Sequence, residues 1–561
     1  MALIEEDLRA ARRPAERRPS RRRRWALLAA ATLTFAALTA LVFVMRAGDS
    51  TGRNWPILWD LRNSDNGVLF QFSSDVFAGR TLDWSFSPQV YVFPEIPISL
   101  AAYGLAGGSA QAYYLMVAAL NNALLFLALF AIVRYLFPSD SLRARLARTA
   151  VAASPLVLLP LLGTSQLYSY HLAPTYYYGM YAVIIAAPAL FLARARWVRV
   201  AVGLAIALTG ASNPLAFVFT VPSLACVALI RARSAGWRDL RRPAAWVASV
   251  LLLAGAVREL LFASLQGGSP LSYIGTQLFR RRLDDVRFFL RNLLHIRTSA
   301  VITVIGAAAA VAGLIYVLGV YVLGVHGRRA AQRWDPPRDP RLDQRRLDPR
   351  WLDARRLTVA YYALVPLTGL AATAILLVTS YLYFWPVLVA PIVLSLLWLR
   401  ATWVPRALVA AAAAFVVIAA QTGGLGNLAS AGHYFTYRSA ETQCLDERLP
   451  VGDTVGYATF SDARRLSLTS ARGIRLIQLT ASGGRAYWLT NRAYARTEVG
   501  HFFYINDAWD RGEPPISTTF LASTFGQPDS QFSCAEGTTV WLYDDPAKLA
   551  AIAARYEVRS P

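Results

Sequence analysis

Lysine is almost absent from this chain. Among its 561 residues Lys548 is the sole example, although Lys and Arg together number 57 against 34 Asp and Glu. The basic balance is therefore arginine, in keeping with the codon bias of a GC-rich genome. Charged residues make up only 16% of the chain, well below the usual quarter, while 55% are hydrophobic and the mean hydropathy is +0.37. That scarcity of charge excludes a string of soluble domains and marks a polytopic membrane protein. No G-x-S-x-G, P-loop or paired His–Cys arrangement occurs, which leaves soluble-type nucleophilic catalysis without support. Mid-span charges are few and no inverted repeat is visible, against a transporter or flippase. The formal charge of +23 would suit nucleic acid if the arginines covered a soluble face. They fall instead in short clusters between apolar runs, so no nucleic-acid partner is expected.

The apolar runs predict about eleven transmembrane helices, at 25–45, 112–136, 149–163, 180–193, 198–212, 215–230, 243–264, 299–324, 357–379, 384–399 and 407–420. Residues 1–24 read as a disordered basic cytoplasmic tail. The run after it is too long for a signal-peptide core and lacks a cleavage site, so it is an uncleaved first span. Every second loop is rich in arginine, including Arg143, Arg145 and Arg148, then Arg194, Arg196 and Arg199, and the long stretch 326–356. The positive-inside rule therefore places the N-terminus in the cytoplasm and the C-terminus outside it. The expected organisation is a tail (1–24), a transmembrane domain (25–420) and an extracytoplasmic soluble domain (421–561).

The outward loops differ in kind. The first, 46–111, is long and gathers acids, aromatics and glycines. The second, 163–180, is aromatic and carries His171, which either lines a sugar or acceptor pocket or belongs to an interfacial aromatic belt. In the fourth, residues 279–295 place Leu283, Val286, Phe289, Leu290 and Leu293 at helical spacing opposite arginines, the pattern of a surface helix lying on the membrane. Beyond 421 the composition turns soluble. Strands are expected at Thr454–Phe460, Ile474–Leu479, Ala486–Thr490, Phe502–Ile505 and Thr538–Tyr543, and helices at 517–525 and 546–556, giving an α/β or α+β domain. Cys444 and Cys534 lie near its two ends and are free to pair outside the cytoplasm, whereas Cys226 sits in an apolar run.

Within the first outward loop, residues 65–79 suit a helix that ends at Gly79. Asp65, Val68, Leu69, Phe72 and Val76 share one stripe, which turns Asp65 to the buried side. An acid held there is poorly solvated, and its pKa rises towards the range of a general base. Asn63, Ser64 or Asp65 would serve equally as a helix cap, and spacing alone does not separate the two readings.

Asp65-Asn66-Gly67-Val68-Leu69-Phe70, followed by Asp75-Val76-Phe77-Ala78-Gly79, resembles the D-E-x-x-Y-x-x-x-A-x-x-L-x-x-G segment of GT-C-fold glycosyltransferases, the group of protein O-mannosyltransferases and aminoarabinose transferases. In that family the segment directly follows the first span, as it does here. The stretch Tyr91-Val92-Phe93-Pro94-Glu95-Ile96-Pro97 is similar to the family's K-P-P-L segment, and Tyr381-Leu382-Tyr383-Phe384-Trp385-Pro386 to its R-Y-x-x-P turn. The family's second acid is Asn66 here, the lysine before the prolines is absent, and the arginine of R-Y is Ser380.

The resemblance implies transfer of a sugar from a polyprenyl-phosphate donor to a glycan, lipid or protein acceptor outside the cytoplasm of a bacterial inner membrane. Asp65 would take the acceptor proton, with inversion at the sugar carbon. Asp75, Glu95, His171, Arg258, Arg280, Arg281 and Tyr381 are the candidate substrate contacts, the arginines because a guanidinium fork suits phosphate. Snorkelling to lipid headgroups is the ordinary alternative for each arginine. Some relatives need a divalent metal, and Asp65, Asp75, Asp83 and Glu95 are oxygen donors, though without tight ligand spacing. No cofactor is otherwise implied. A non-enzymatic membrane scaffold with a partner-binding outer domain, or a lipid or sugar transporter, is the alternative function.

Overall fold

The computed structural model describes residues 20–47, 64–87, 89–162, 168–173, 177–193, 195–235, 241–265, 291, 300–312, 315, 357–367, 385–429, 431–450, 454–486, 489–496, 501–506, 515–534 and 537–556. The expected surface helix at 279–295, the loop 326–356, Arg280, Arg281, Ser380 and Tyr381 lie outside the described residues, apart from the single position 291.

The chain is mainly helical. Helix α1 (Arg21–Ala47) begins inside the arginine run that the sequence assigns to the tail. After it come α2 (Ser64–Phe77), the short strand β1 (Trp84–Ser85), α3 (Glu95–Ala106) and α4 (Ala110–Leu136). Then follow α5 (Leu142–Ala153), α6 (Pro155–Leu162), α7 (Tyr178–Ala186), α8 (Arg196–Ser212), α9 (Leu215–Ala235), α10 (Arg241–Val257), α11 (Trp385–Ser395) and α12 (Val404–Gln421). Among the described residues five helical stretches are long and apolar enough to cross a membrane: Arg21–Arg46, Ala110–Leu136, Leu142–Leu162, Ala244–Leu265 and Ala401–Gln421. Shorter apolar helices occupy most of the other expected spans.

Helix α3 is not among the expected elements. At 12 residues it measures roughly 18 Å, too short to span a bilayer. Gly107 and Gly108 follow it at φ 59° and 84°, a left-handed turn that reverses the chain into α4 at little steric cost. Ser109 caps α4 by accepting a hydrogen bond from the Ala112 amide. Helix α4 then packs along α1, where Phe35 stacks on Phe126 with centroids 5.1 Å apart. Two short helical turns, Gly424–Ala429 and Ala431–Thr436, lead out of α12, and Asn427 on the first donates to Met45 O of α1 at 2.9 Å.

The C-terminal region holds a five-stranded mixed sheet in the order β3-β2-β5-β7-β6. Its elements are α13 (Ala440–Arg448), β2 (Thr454–Ala458), α14 (Phe460–Thr469), β3 (Arg475–Gln478), β4 (Thr490–Asn491), β5 (His501–Asn506), α15 (Thr518–Phe525), β6 (Ser530–Ser533), β7 (Thr539–Tyr543) and α16 (Pro546–Tyr556). β2 runs parallel to β3 and β5, with α14 as the crossover from β2 to β3, while β7 is antiparallel to β5 and β6. Both faces are covered. Tyr457, Tyr504 and Tyr543 pack under Phe525 and Tyr556, and Ala458, Phe503 and Leu542 pack under Leu445 and Leu466. Cys444 on α13 is disulfide-bonded to Cys534 after β6, 90 residues on. Buried Arg465 pairs with Glu441 at 3.1 Å and Asp462 at 2.9 Å, joining α13 to α14.

Of the expected strand at Ala486–Thr490, only Thr490 is extended among the described residues. Thr490 and Asn491 stand outside the five-stranded sheet and pair with β1, in the long loop after α1. That pairing joins the loop after α1 to the C-terminal region.

Candidate functional site

Helix α2 is buried on more sides than a one-faced stripe requires. Asn66 through Phe70 are all buried, while Phe72 and Val76 of the expected stripe are only half-buried. The polar positions Gln71, Ser73 and Asp75 are buried instead. The cause is a second covering layer. Helix α3 lies against one side, where the Ser73 and Ser99 hydroxyls meet at 2.8 Å and Ser99 donates to the Leu69 carbonyl. Helix α14 of the C-terminal region lies against another, and Gly67 packs on Arg464. Asp65 stands in the first turn of α2; its side chain lies outside the described residues.

Asp75 is enclosed. Its Oδ1 accepts from the Tyr494 hydroxyl at 2.5 Å and from Arg80 at 3.1 Å. Its Oδ2 accepts from the Asn491 amide at 2.8 Å and the Trp84 indole at 3.0 Å. Burial first, and the Asp75 carboxylate beside it, raise the Tyr494 hydroxyl above the usual phenol range, which keeps it a donor. Asp83 is held in turn by the Arg492 guanidinium, with Nε at 2.9 Å. Two of the four acids considered as metal donors are therefore engaged with protein groups. Among the described residues no group of three or more His, Cys, Asp or Glu is placed to hold a metal.

Glu95 opens α3 and is also buried, but its surroundings differ. Its Oε1 accepts from the Gly179 amide at 3.2 Å, and its Oε2 has no partner among the described residues. Burial raises its carboxyl well above the ordinary range, and the backbone amides oppose this only in part. The segment leading to it is tied to the last turn of α8, where Val90 N donates to Ser212 O and Phe93 N to Ser212 Oγ, both at 2.9 Å. Half-buried Arg258 reaches the same turn, donating from Nη1 to Ala211 O at 3.0 Å. The structure thus ties the segment carrying Glu95 and the Arg258 side chain to one turn.

His171 is buried in the helical bundle. Its Nε2 lies 2.6 Å from Leu156 O, and Asn122 donates to its carbonyl at 3.0 Å. Its ring lies 6.5 Å from Trp385, which stacks on Tyr181 at 4.2 Å. Tyr168, Tyr177 and Tyr178 of the same aromatic region are buried too, which is not the placement of an interfacial belt. Sequence reasoning missed Arg464, Asn491 and Tyr494. They lie 393, 416 and 419 residues from their partners Gln71 and Asp75, and no local pattern links them.

No family model matches the chain, and no curated protein matches it. Among solved structures, the apo crystal structure of ArnT from Cupriavidus metallidurans is similar at 15% identity and a TM-score of 0.42, over 86% of this chain and 94% of that one. A likeness at that level fixes no chemistry.

Proposed function

We propose that the chain is a membrane glycosyltransferase that moves a sugar from a polyprenyl-phosphate donor to an acceptor outside the cytoplasm. Asp65 is the general base that takes the acceptor proton, and the sugar carbon inverts. The observation that carries this reading is the setting of α2: an acid-headed helix that follows the first apolar helix and is enclosed between α3 and the C-terminal region. Glu95 and Arg258 contribute to the donor site, with Arg258 suited to a phosphate oxygen, and His171 lines the sugar side. Arg280, Arg281 and Tyr381 complete the proposed contacts. The disulfide between Cys444 and Cys534 supports an extracytoplasmic C-terminal domain, because such bonds persist in oxidising compartments.

The test is transfer of labelled sugar from a polyprenyl-phosphate donor by purified protein, wild type against Asp65→Asn. Loss of about 10²–10⁴-fold in turnover with donor binding kept is expected for a general base. Undiminished transfer removes Asp65 from that role, and no transfer from any such donor by the wild type favours the scaffold.

A further inference from the structure

The contacts between α2 and the C-terminal region are polar, buried and long-range. Asn491 is saturated: its Nδ2 donates to Asp75 Oδ2 and Thr81 O, both at 2.8 Å, and its Oδ1 accepts from the amides of Ala493 at 3.0 Å and Asp83 at 3.3 Å. An amide has two donors and two acceptor sites, and all are used. Tyr494 secures the other Asp75 oxygen. Further along α2, buried Arg464 donates to the Gln71 side chain and to Leu489 O, and its guanidinium lies 5.7 Å from the Trp84 ring centroid. The antiparallel pairing of Trp84 with Asn491 and Ser85 with Thr490 adds a backbone seam. One short helix is therefore gripped at Gly67, Gln71 and Asp75, three points along one rigid rod whose first turn contains Asp65.

We propose that the C-terminal domain is a working part of the site, and that Arg464, Asn491 and Tyr494 are positioning residues that set the attitude of α2 and thereby of Asp65. The assignment rests on the reading of Asp65 as base. Catalysis by a fixed general base depends on its alignment with the acceptor, and small displacements of the supporting frame cost rate more than binding. The C-terminal domain thus acts on turnover, leaving donor affinity alone.

The experiment uses full-length protein and two readouts. In sugar transfer from a polyprenyl-phosphate donor, Asn491→Asp and Arg464→Met are expected to lower kcat at least about tenfold with KM for the donor unchanged. Asn491→Asp sets a second carboxylate against Asp75; the paired exchange Asn491→Asp with Asp75→Asn is expected to recover part of the loss. Combined with Asp65→Asn, neither variant should lower the residual rate further, because both act through that acid. Losses that multiply in the combined variants overturn the proposal, as does a rise in KM with kcat kept. The second readout is amide hydrogen exchange over residues 66–77, expected to quicken in Asn491→Asp while residues 110–136 keep their protection. Unchanged exchange there overturns the grip itself, whatever the reaction. Faster exchange in a protein whose wild type transfers no sugar upholds the grip and sinks the assignment of Asp65.

Discussion

Two buried carboxylates in the long loop between α1 and α4 show how differently one stretch of chain can be held. Asp75 accepts four hydrogen bonds, two of them from residues of the C-terminal region, and its burial is compensated donor by donor. Glu95 accepts from the Gly179 amide, and burial drives its carboxyl towards the protonated form. The first arrangement is built to hold a helix. The second leaves a proton-bearing group on a segment tied to the last turn of α8, which Arg258 also reaches. Burial alone does not tell a fastening from a site; the count of compensating donors does.

The comparison can be broken at several points. The largest effect is expected from removing the disulfide by Cys444→Ser with Cys534→Ser. Closing a 90-residue separation is worth about 4–5 kcal/mol in the chain-entropy model, and thermal unfolding in detergent should show the loss. Amide exchange should quicken over α2 and change less over α3, since α2 is the one fastened to the C-terminal region by Asn491 and Tyr494. Next comes Asp75→Asn, which presents an NH2 group to donors that need an acceptor. A loss of about 3 kcal/mol is expected, read as a fall in Tm. A loss as small as that of a surface substitution would refute the role given to this cluster. Tyr494→Phe deletes one of the four donors and should cost about 1 kcal/mol by the same measurement.

The smallest effect on stability at neutral pH is expected from Glu95→Gln, within about 1 kcal/mol, and its signature is pH dependence. A carboxyl raised in the folded state binds its proton more tightly there than in the unfolded chain. Its contribution is complete below the unfolded pKa of about 4.3 and declines as pH rises above it, until the folded pKa is passed. Tm measured from pH 4 upward should therefore fall less in Glu95→Gln than in wild type. Parallel profiles would show that Glu95 is solvated in solution.

Much of this architecture is legible in the sequence because membrane proteins write their plan in local terms. The apolar runs, the long loop after the first of them and the helix near Asp65 all follow from neighbours a few residues apart. Gln71, Ser73 and Asp75 mislead for the same reason. On a helix read in isolation they look like the solvent face, and only α3 and the distant C-terminal region make them interior. The strand expected at Ala486–Thr490 departs similarly: its final residue does extend, but towards β1 and away from the neighbouring sheet. Pairings across such separations leave no period to read.

The separation between Asp75 and Tyr494 is 419 residues. During synthesis at about 5–20 residues per second, roughly 20–80 seconds pass between the emergence of the two. Until then Asp75 lacks the Asn491 and Tyr494 donors, and a chain cut short before Asn491 never acquires them. A late part of the chain thus completes an early one, and a copy ending before Asn491 lacks the full grip on the helix of its proposed base.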